Sequence, residues 1–352
     1  MIQILQGDCR EVLKTLPDCS VHCCVTSPPY FGLRDYGCAG QIGLESTPDA
    51  YVAELVAVFR EVKRVLRDDG TVWLNLGDSY ASNGERSNNN GEGKSTMGWV
   101  GQRHETLNKA AGIKMPAVNH GLKPKDLIGI PWRVAFALQA DGWYLRQDII
   151  WHKPNPMPES VTDRCTKAHE YIFLLAKSPR YYYDAEAIKE DVAESQVGRV
   201  RDDVIGGNKG DDVHHSPGGR YSKGRGGRNA FRGQGHFRYG ENGPANRAGR
   251  NMKDIAAGED KRNRRSVWTV TTKPYREAHF ATFPPDLIQP CIRAGCPAGG
   301  TVLDPFGGSG TTGEVAASEG RKAILIELNP QYVKLAQGRG GLFCASNPRC
   351  AE

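Results

Sequence analysis

Two short segments carry residue types at spacings that can do chemistry. Thr26-Ser27-Pro28-Pro29-Tyr30 follows an apolar run near the start, and Asp304-Pro305-Phe306-Gly307-Gly308-Ser309-Gly310-Thr311 follows another near the end. In the first, two prolines fix the backbone, so the Ser27 hydroxyl and the Pro28 carbonyl form a preorganised pair of hydrogen-bond acceptors. Tyr30 adds a flat face on which a planar ring can stack. In the second, Gly308 to Gly313 reads G-x-G-x-x-G, and Glu327 ends the next apolar run, Ala323 to Ile326. Glycines let the backbone approach a ligand closely, and a carboxylate at that distance accepts hydrogen bonds from ribose hydroxyls. This turn alone leaves NAD and S-adenosylmethionine as open candidates, beside an ordinary tight turn with a surface acid.

The elements that must hold these segments follow from periodicity. Ile2 and Ile4 start a short strand ending at Gly7-Asp8, Val12, Leu13 and Leu16 mark a helical stretch, and Val21 to Val25 form a buried strand. Val52, Leu55, Val56, Phe59, Val62 and Val65 recur at helical spacing, and Asp69-Gly70 is expected to close that helix before a strand at Thr71–Leu76. Pro131 to Leu138 followed by Trp143 to Trp151 forms a second helix–strand unit, and Thr301 to Glu327 contains a third. Such alternation predicts a mostly parallel sheet covered by helices, with both chemical segments at strand C-terminal ends, where open sheets bind ligands.

Two stretches break the pattern. Residues 79–123 are rich in Asn, Gly and Ser and read as a mobile surface loop. Between Arg199 and Arg265 there are 16 Lys/Arg against 8 Asp/Glu, so this segment holds the basic excess while the whole chain carries only +6. Its glycine- and arginine-rich composition reads as a low-complexity insert that binds a polyanion. Tyr221, Phe231, Phe237 and Tyr239 interleave with its cations, which favours nucleic acid over a small acidic substrate. A disordered RNA-binding segment and a merely solvated loop are the other readings. The domain division expected is residues 1–189 (with loop 79–123), the insert 190–265, residues 266–345, and a tail at 346–352.

At 352 residues and 39% hydrophobic content the chain can bury a large core. No run approaches the roughly 18 apolar residues of a membrane span, and a cytoplasmic location is expected. Ten cysteines show no Cys-x-x-Cys pair, so reduced thiols and no metal are expected. Pro290-Cys291 could carry a nucleophile, but Leu287, Ile288 and Ile292 around it spell a helical apolar face and hence a core cysteine. Tyr181-Tyr182-Tyr183 reads as a packed strand, and His214-His215 as solvated.

Asp304 to Thr311 resembles the S-adenosyl-L-methionine motif of bacterial and phage DNA amino-methyltransferases, and Thr26 to Tyr30 is similar to their catalytic motif. The order, catalytic motif first, an insert, then the cofactor motif, resembles the permuted arrangement called the β group, over most of residues 1–190 and 266–340. The resemblance implies a doubly wound α/β fold, Rossmann-like, with an inserted target-recognition region. It makes Ser27, Pro28, Pro29 and Tyr30 the catalytic turn and places Asp304, Pro305, Phe306, Gly307, Gly308, Ser309, Gly310 and Thr311 around the cofactor. Asp8 matches the acid on the cofactor's adenine amine, although Gly-Asp is also an ordinary turn. Glu327 matches the ribose-binding acid, and Thr282, within His279 to Pro284, lines the methionine end. Trp151 to Pro156 and His169 to Ile172 resemble segments that recur around the family's base pocket, with a plain structural role equally open.

The chemistry implied is methylation of an exocyclic amine whose lone pair is delocalised into its ring. Acceptors at Ser27 and Pro28 would localise that pair, and Tyr30 would stack the base once it is flipped out of the duplex. Ser-Pro-Pro-Tyr is typical of cytosine N4 in the family, with adenine N6 as the alternative. Arg220, Lys223, Arg225, Arg228 and Arg232 of the insert would contact double-stranded DNA. A partner restriction endonuclease, and a monomer or homodimer, complete the expectation. A nicotinamide-dependent oxidoreductase would share the glycine turn but leave Pro-Pro-Tyr without a use, and an inactive nucleic-acid-binding module would share the insert.

Overall fold

Parallel strands buried on both faces must be apolar on both, and the central strands here meet that demand residue by residue. In the computed structural model, which describes residues 1–33, 35–81, 122–191, 261–272 and 283–339, successive residues of one strand enter two different cores. Val72, Leu74 and Leu76 face one core while Trp73 faces the other, and Cys24 and Cys23 divide in the same way.

The strands are β1 (Ile2–Gln6), β2 (Val21–Thr26), β3 (Leu66–Leu76), β4 (Tyr144–His152), β5 (His169–Ala176), β6 (Glu190–Asp191), β7 (Lys261–Arg262), β8 (Val267–Thr269), β9 (Thr301–Asp304) and β10 (Lys322–Glu327). Eight form one sheet in the order β1-β10-β9-β2-β3-β5-β4-β8. All pairs are parallel except the two made by β5. Because β5 runs backwards, its first residues lie at the same edge as the last residues of β1, β2, β3, β4, β9 and β10. One edge of the sheet therefore collects Asp8, Ser27–Tyr30, Lys153, Glu170, Asp304 and Glu327.

The helices are α1 (Cys9–Val12), α2 (Pro48–Val65), α3 (Ile130–Ala140), α4 (Pro285–Gly295), α5 (Thr311–Ser318) and α6 (Pro330–Arg339). Tyr51, Leu55, Phe59, Val62, Val134 and Leu138 of α2 and α3 cover one face of the sheet, and Leu287, Ile288, Ile292 and Val315 of α4 and α5 cover the other. Helix α2 starts where the Thr47 hydroxyl accepts from Ala50 N–H at 3.1 Å, with Pro48 in the first turn. A cap of this kind contributes about 1 kcal/mol.

Two expectations need correction. Helix α2 stops at Val65 and the strand begins at Leu66, ahead of Asp69-Gly70, because buried Leu66 already pairs with Val21 across a register shift. Gly70 permits that irregularity: a Cβ there would lie 2.9 Å from the Arg67 carbonyl oxygen. Tyr181, Tyr182 and Tyr183 form no strand. Tyr183 instead stacks on Trp73 with ring centroids 6.3 Å apart.

The chain falls into two compact units, Met1–Ile188 together with the chain from Arg264 onward, and Lys189–Asn263. In the second unit β6 and β7 pair antiparallel, with Arg262 bonded to Glu190 at 2.9 Å, so the two ends of the segment between them are adjacent. Most of the loop expected at 79–123 lies outside the described residues, but its ends are joined through Ala81 N–H to the Asp126 carbonyl at 2.8 Å. The tail at 346–352 and His214-His215 also lie outside them. No described helix is long and apolar enough to cross a membrane, and the described residues contain no metal-binding cluster. Eight of the ten cysteines are described and all are free.

Candidate functional site

The site grows from the adjacency of β2 and β9, paired at Cys24 and Leu303. Their neighbouring ends bring together two motifs far apart in sequence. Thr26 Oγ1 donates to Asp304 Oδ1 at 2.6 Å, Thr312 Oγ1 donates to Oδ2 at 2.6 Å, and Phe306 N–H donates to Oδ1 at 3.0 Å. Burial pushes the Asp304 carboxyl above its ordinary range, and these three donors oppose the rise. Asp304 thus ties the glycine turn to the strand that precedes Ser27. Thr26 and Thr312 lie within the two sequence motifs, but neither was read as a partner of Asp304, since a hydroxyl in an apolar strand or helix gives no signal of what it bonds.

The glycine turn is built as its composition requires. Gly308 and Gly310 have φ of +51° and +84°, in the left-handed region. A Cβ on Gly310 would sit 3.0 Å from that of Ala336, while one on Gly308 would meet within 4 Å only the Phe306 carbonyl, 3.8 Å away. The turn is therefore packed on the protein side at Gly310 and open at Gly308. Glu327 accepts from Gly308 N–H at 2.8 Å and from Asn329 N–H at 2.7 Å, which fixes its carboxylate beside the turn. Burial raises its carboxyl, against those backbone bonds.

Asp8 lies at the end of neighbouring β1, where Gly7 N–H bonds the Glu327 carbonyl at 2.9 Å. It caps α1, accepting from Arg10 N–H at 2.9 Å, and pairs with the Arg10 guanidinium at 2.6 Å. Burial pushes its carboxyl up, and Arg10 more than offsets this to leave it low. Arg10 also reaches Glu54 at 2.9 Å and the Gly40 carbonyl at 2.6 Å. The open Gly308 turn between two strand-end carboxylates, with the half-buried Phe306 beside it, fits an adenosine-bearing ligand. Thr282 lies outside the described residues, as do Arg220, Lys223, Arg225, Arg228 and Arg232.

The Pro-Pro-Tyr turn is held from several sides. The Tyr51 hydroxyl donates to the Pro29 carbonyl at 2.8 Å, whereas no described residue donates to the Pro28 carbonyl. Sequence reading did not single out Tyr51, because helical spacing records where a ring goes and not where its hydroxyl points. The Tyr30 hydroxyl lies 2.6 Å from Glu170 Oε2 and 3.2 Å from Asn75 Oδ1. Burial and the adjacent Glu170 charge raise the phenol far above its usual value, against a hydrogen bond from Ser27, so Tyr30 stays a donor. Asp78, just past β3, accepts from Gly129 and Ile130 N–H at 3.0 and 3.1 Å and caps α3. Cys291 is core: its thiol is buried, donates to the Leu287 carbonyl at 3.6 Å, and is pushed well up by desolvation.

This arrangement sets a pair of acceptors and an aromatic ring beside a glycine turn at one sheet edge. Residues 21–338 match the family model of the N6/N4 DNA methylases. The chain belongs to that DNA methylase family. Type II methyltransferase M.Cfr9I of Citrobacter freundii is 45% identical over 336 residues, covering 96% of this chain and 86% of the relative. Type II methyltransferase M.SmaI of Serratia marcescens is 42% identical, covering 96% and 90%. Among solved structures, the cytosine-N4-specific PvuII DNA methyltransferase shares the fold with a TM-score of 0.56 at 18% identity, covering 98% of this chain and 87% of its own. A putative DNA modification methylase of Thermus thermophilus, solved with S-adenosyl-L-methionine, gives 0.52 at 23% identity, covering 96% and 93%. A DNA methylase of this family takes its methyl group from S-adenosyl-L-methionine, and DNA is its substrate.

Proposed function

We propose that this DNA methylase methylates the N4 amine of cytosine in double-stranded DNA at a specific sequence, as the modification enzyme of a restriction–modification pair. The observation that carries the reading is the state of the Pro-Pro-Tyr turn. Tyr51 takes the Pro29 carbonyl, and the Pro28 carbonyl and the Ser27 oxygen remain as acceptors for the two protons of an amine. Ser27, Pro28, Pro29 and Tyr30 then form the catalytic turn, with Ser27 rather than Asp or Asn favouring cytosine.

On this reading Glu327 accepts from the ribose hydroxyls, Gly308 admits the ligand to the backbone, and Phe306 packs beside it. Bound S-adenosyl-L-methionine supplies an electrophilic methyl group on a cationic sulfur. Ser27 and the Pro28 carbonyl draw the amine protons out of the ring plane and orient the nitrogen's lone pair, and the prolines supply this geometry without reorganisation. Asp304 holds the acceptor strand and the cofactor turn in register. Asp8, its carboxylate held by Arg10, accepts from the adenine amine, and Thr282 lines the methionine end. Residues 190–265 are the target-recognition region, in which Arg220, Lys223, Arg225, Arg228 and Arg232 neutralise phosphates. The protein acts in the cytoplasm.

The test is to incubate the protein with unmethylated genomic DNA and methyl-labelled S-adenosyl-L-methionine, digest to nucleosides, and identify the labelled one by mass spectrometry. Label on N4-methylcytosine is expected. Label on N6-methyladenine would keep the family chemistry and refute the cytosine assignment.

A further inference from the structure

We propose that Glu170 is a positioning residue for methyl transfer: held by Lys153 and Asn75, it fixes the Tyr30 ring at the angle at which the target base stacks. This rests on the reading above, in which Tyr30 receives the flipped base. A stacking platform works only if its plane is set before the base arrives, and a tyrosine at the end of a turn has two side-chain torsions to lose. Two contacts remove them, on a backbone that a third fixes. Tyr51 pins the preceding carbonyl at 2.8 Å. One ring edge rests on the backbone of Gly77, where a Cβ would come within 2.5 Å of Cε2. The hydroxyl is bound at 2.6 Å by Glu170 Oε2.

Glu170 has no freedom of its own. Asn75 Nδ2 donates to Oε2 at 3.1 Å and to the Tyr171 carbonyl at 3.1 Å, and Lys153 Nζ donates to Oε1. Lys153 in turn lies over the Trp151 ring, 4.3 Å from its centroid, and Trp151 is the register partner of Glu170. Asn75 of β3 and Glu170 of β5 therefore converge on the Tyr30 hydroxyl of the turn after β2, and Lys153, just past β4, holds Glu170. The side chains of Lys153 and Glu170 are only 19% and 14% exposed. A secluded ion pair is a poor source of stability, because desolvation offsets the attraction. The strands are already joined by backbone bonds, so what the pair adds is a fixed, charged acceptor for the phenol, stronger than a neutral one.

The test compares Tyr30→Phe, Glu170→Gln and the double variant in single-turnover methyl transfer to unmethylated genomic DNA at saturating S-adenosyl-L-methionine, with cofactor affinity measured by calorimetry. Each single change is expected to slow transfer about tenfold or more, as for a lost bond to a charged acceptor. The double variant is expected to be no slower than the slower single, with cofactor affinity unchanged. Wild-type rate in Tyr30→Phe, or losses that multiply in the double variant, would overturn the proposal. Glu170→Gln leaves the Lys153 ammonium uncompensated, so Glu170→Gln/Lys153→Met serves as the control for folding. Recovered thermal stability with a slow rate supports positioning, and recovery of the rate as well refutes it. Tyr30→Ala separates the two readings: full activity there removes the stacking role itself, whereas loss there with none in Tyr30→Phe removes only the positioning.

Discussion

Single carboxylates in this site do different work according to what surrounds them. Asp304 engages Thr26, Thr312 and the Phe306 amide with its two oxygens, so it acts as a fastener between two motifs. Asp304→Asn turns one of those oxygens into an amide donor facing other donors, and destabilisation of about 1–3 kcal/mol is expected in a denaturant titration. Ser27→Ala removes an acceptor of the proposed catalytic turn; methyl transfer should drop about tenfold or more while calorimetric affinity for S-adenosyl-L-methionine stays unchanged. An unchanged rate would remove Ser27 from the catalytic turn. Glu327 gives a pH signature. Its carboxyl is raised above 4.5 by burial, so protonation sets in at a higher pH than for an exposed glutamate. A raised carboxyl pKa means that the ionised form costs the fold stability above that pH, and protonation relieves the cost. Cofactor affinity should therefore weaken as pH falls through a value above 4.5, without unfolding from this group, and Glu327→Gln should flatten that dependence. Asp8 titrates lower still and does not contribute in that window.

At the scale of elements, one edge of the sheet gathers the candidate site. Gly77, directly after β3, has no positive φ, yet a Cβ there would strike the Tyr30 ring at 2.5 Å. Gly77→Ala should displace Tyr30 and slow transfer while leaving cofactor affinity intact, a split visible in single-turnover rates against calorimetry. A variant as fast as the native enzyme would show that the ring has room to move. What sequence could show here has a clear physical limit. Strands β2, β9 and β10 and the turns after them were legible because a glycine turn and a double proline have few other uses at the end of an apolar run. The reversed direction of β5 was not legible, since alternating burial looks the same in either direction. Glu170 was therefore seen only as a residue near the site, and its bond to Tyr30 followed once β5 was known to start at the active edge. The start of β3 was missed because Asp69-Gly70 has the composition of a helix terminator, and the pairing of Leu66 with Val21 overrode that local signal.

For the whole molecule, charge and chain order matter most. The basic excess lies between Arg199 and Arg265, and the described ends of that segment are neighbours through β6 and β7. Replacing residues 192–260 by Asn-Gly asks only for a two-residue hairpin between Asp191 and Lys261. That variant should keep its melting temperature and cofactor affinity while losing salt-sensitive DNA binding, measured by fluorescence anisotropy across a salt series. Retained DNA affinity would move the recognition surface elsewhere. The position of β9 has a consequence for synthesis on the ribosome. It lies in the middle of the sheet, between β10 and β2, yet it is synthesised long after β2, and β1, made before β2, has β10 as its partner among the described strands. Strands with long-delayed partners present open edges, which slow folding and invite association with other chains. A nascent chain stopped before Thr301 has no β9 to pair with β2 and no glycine turn, so Thr26 waits for Asp304, 278 positions later in the chain.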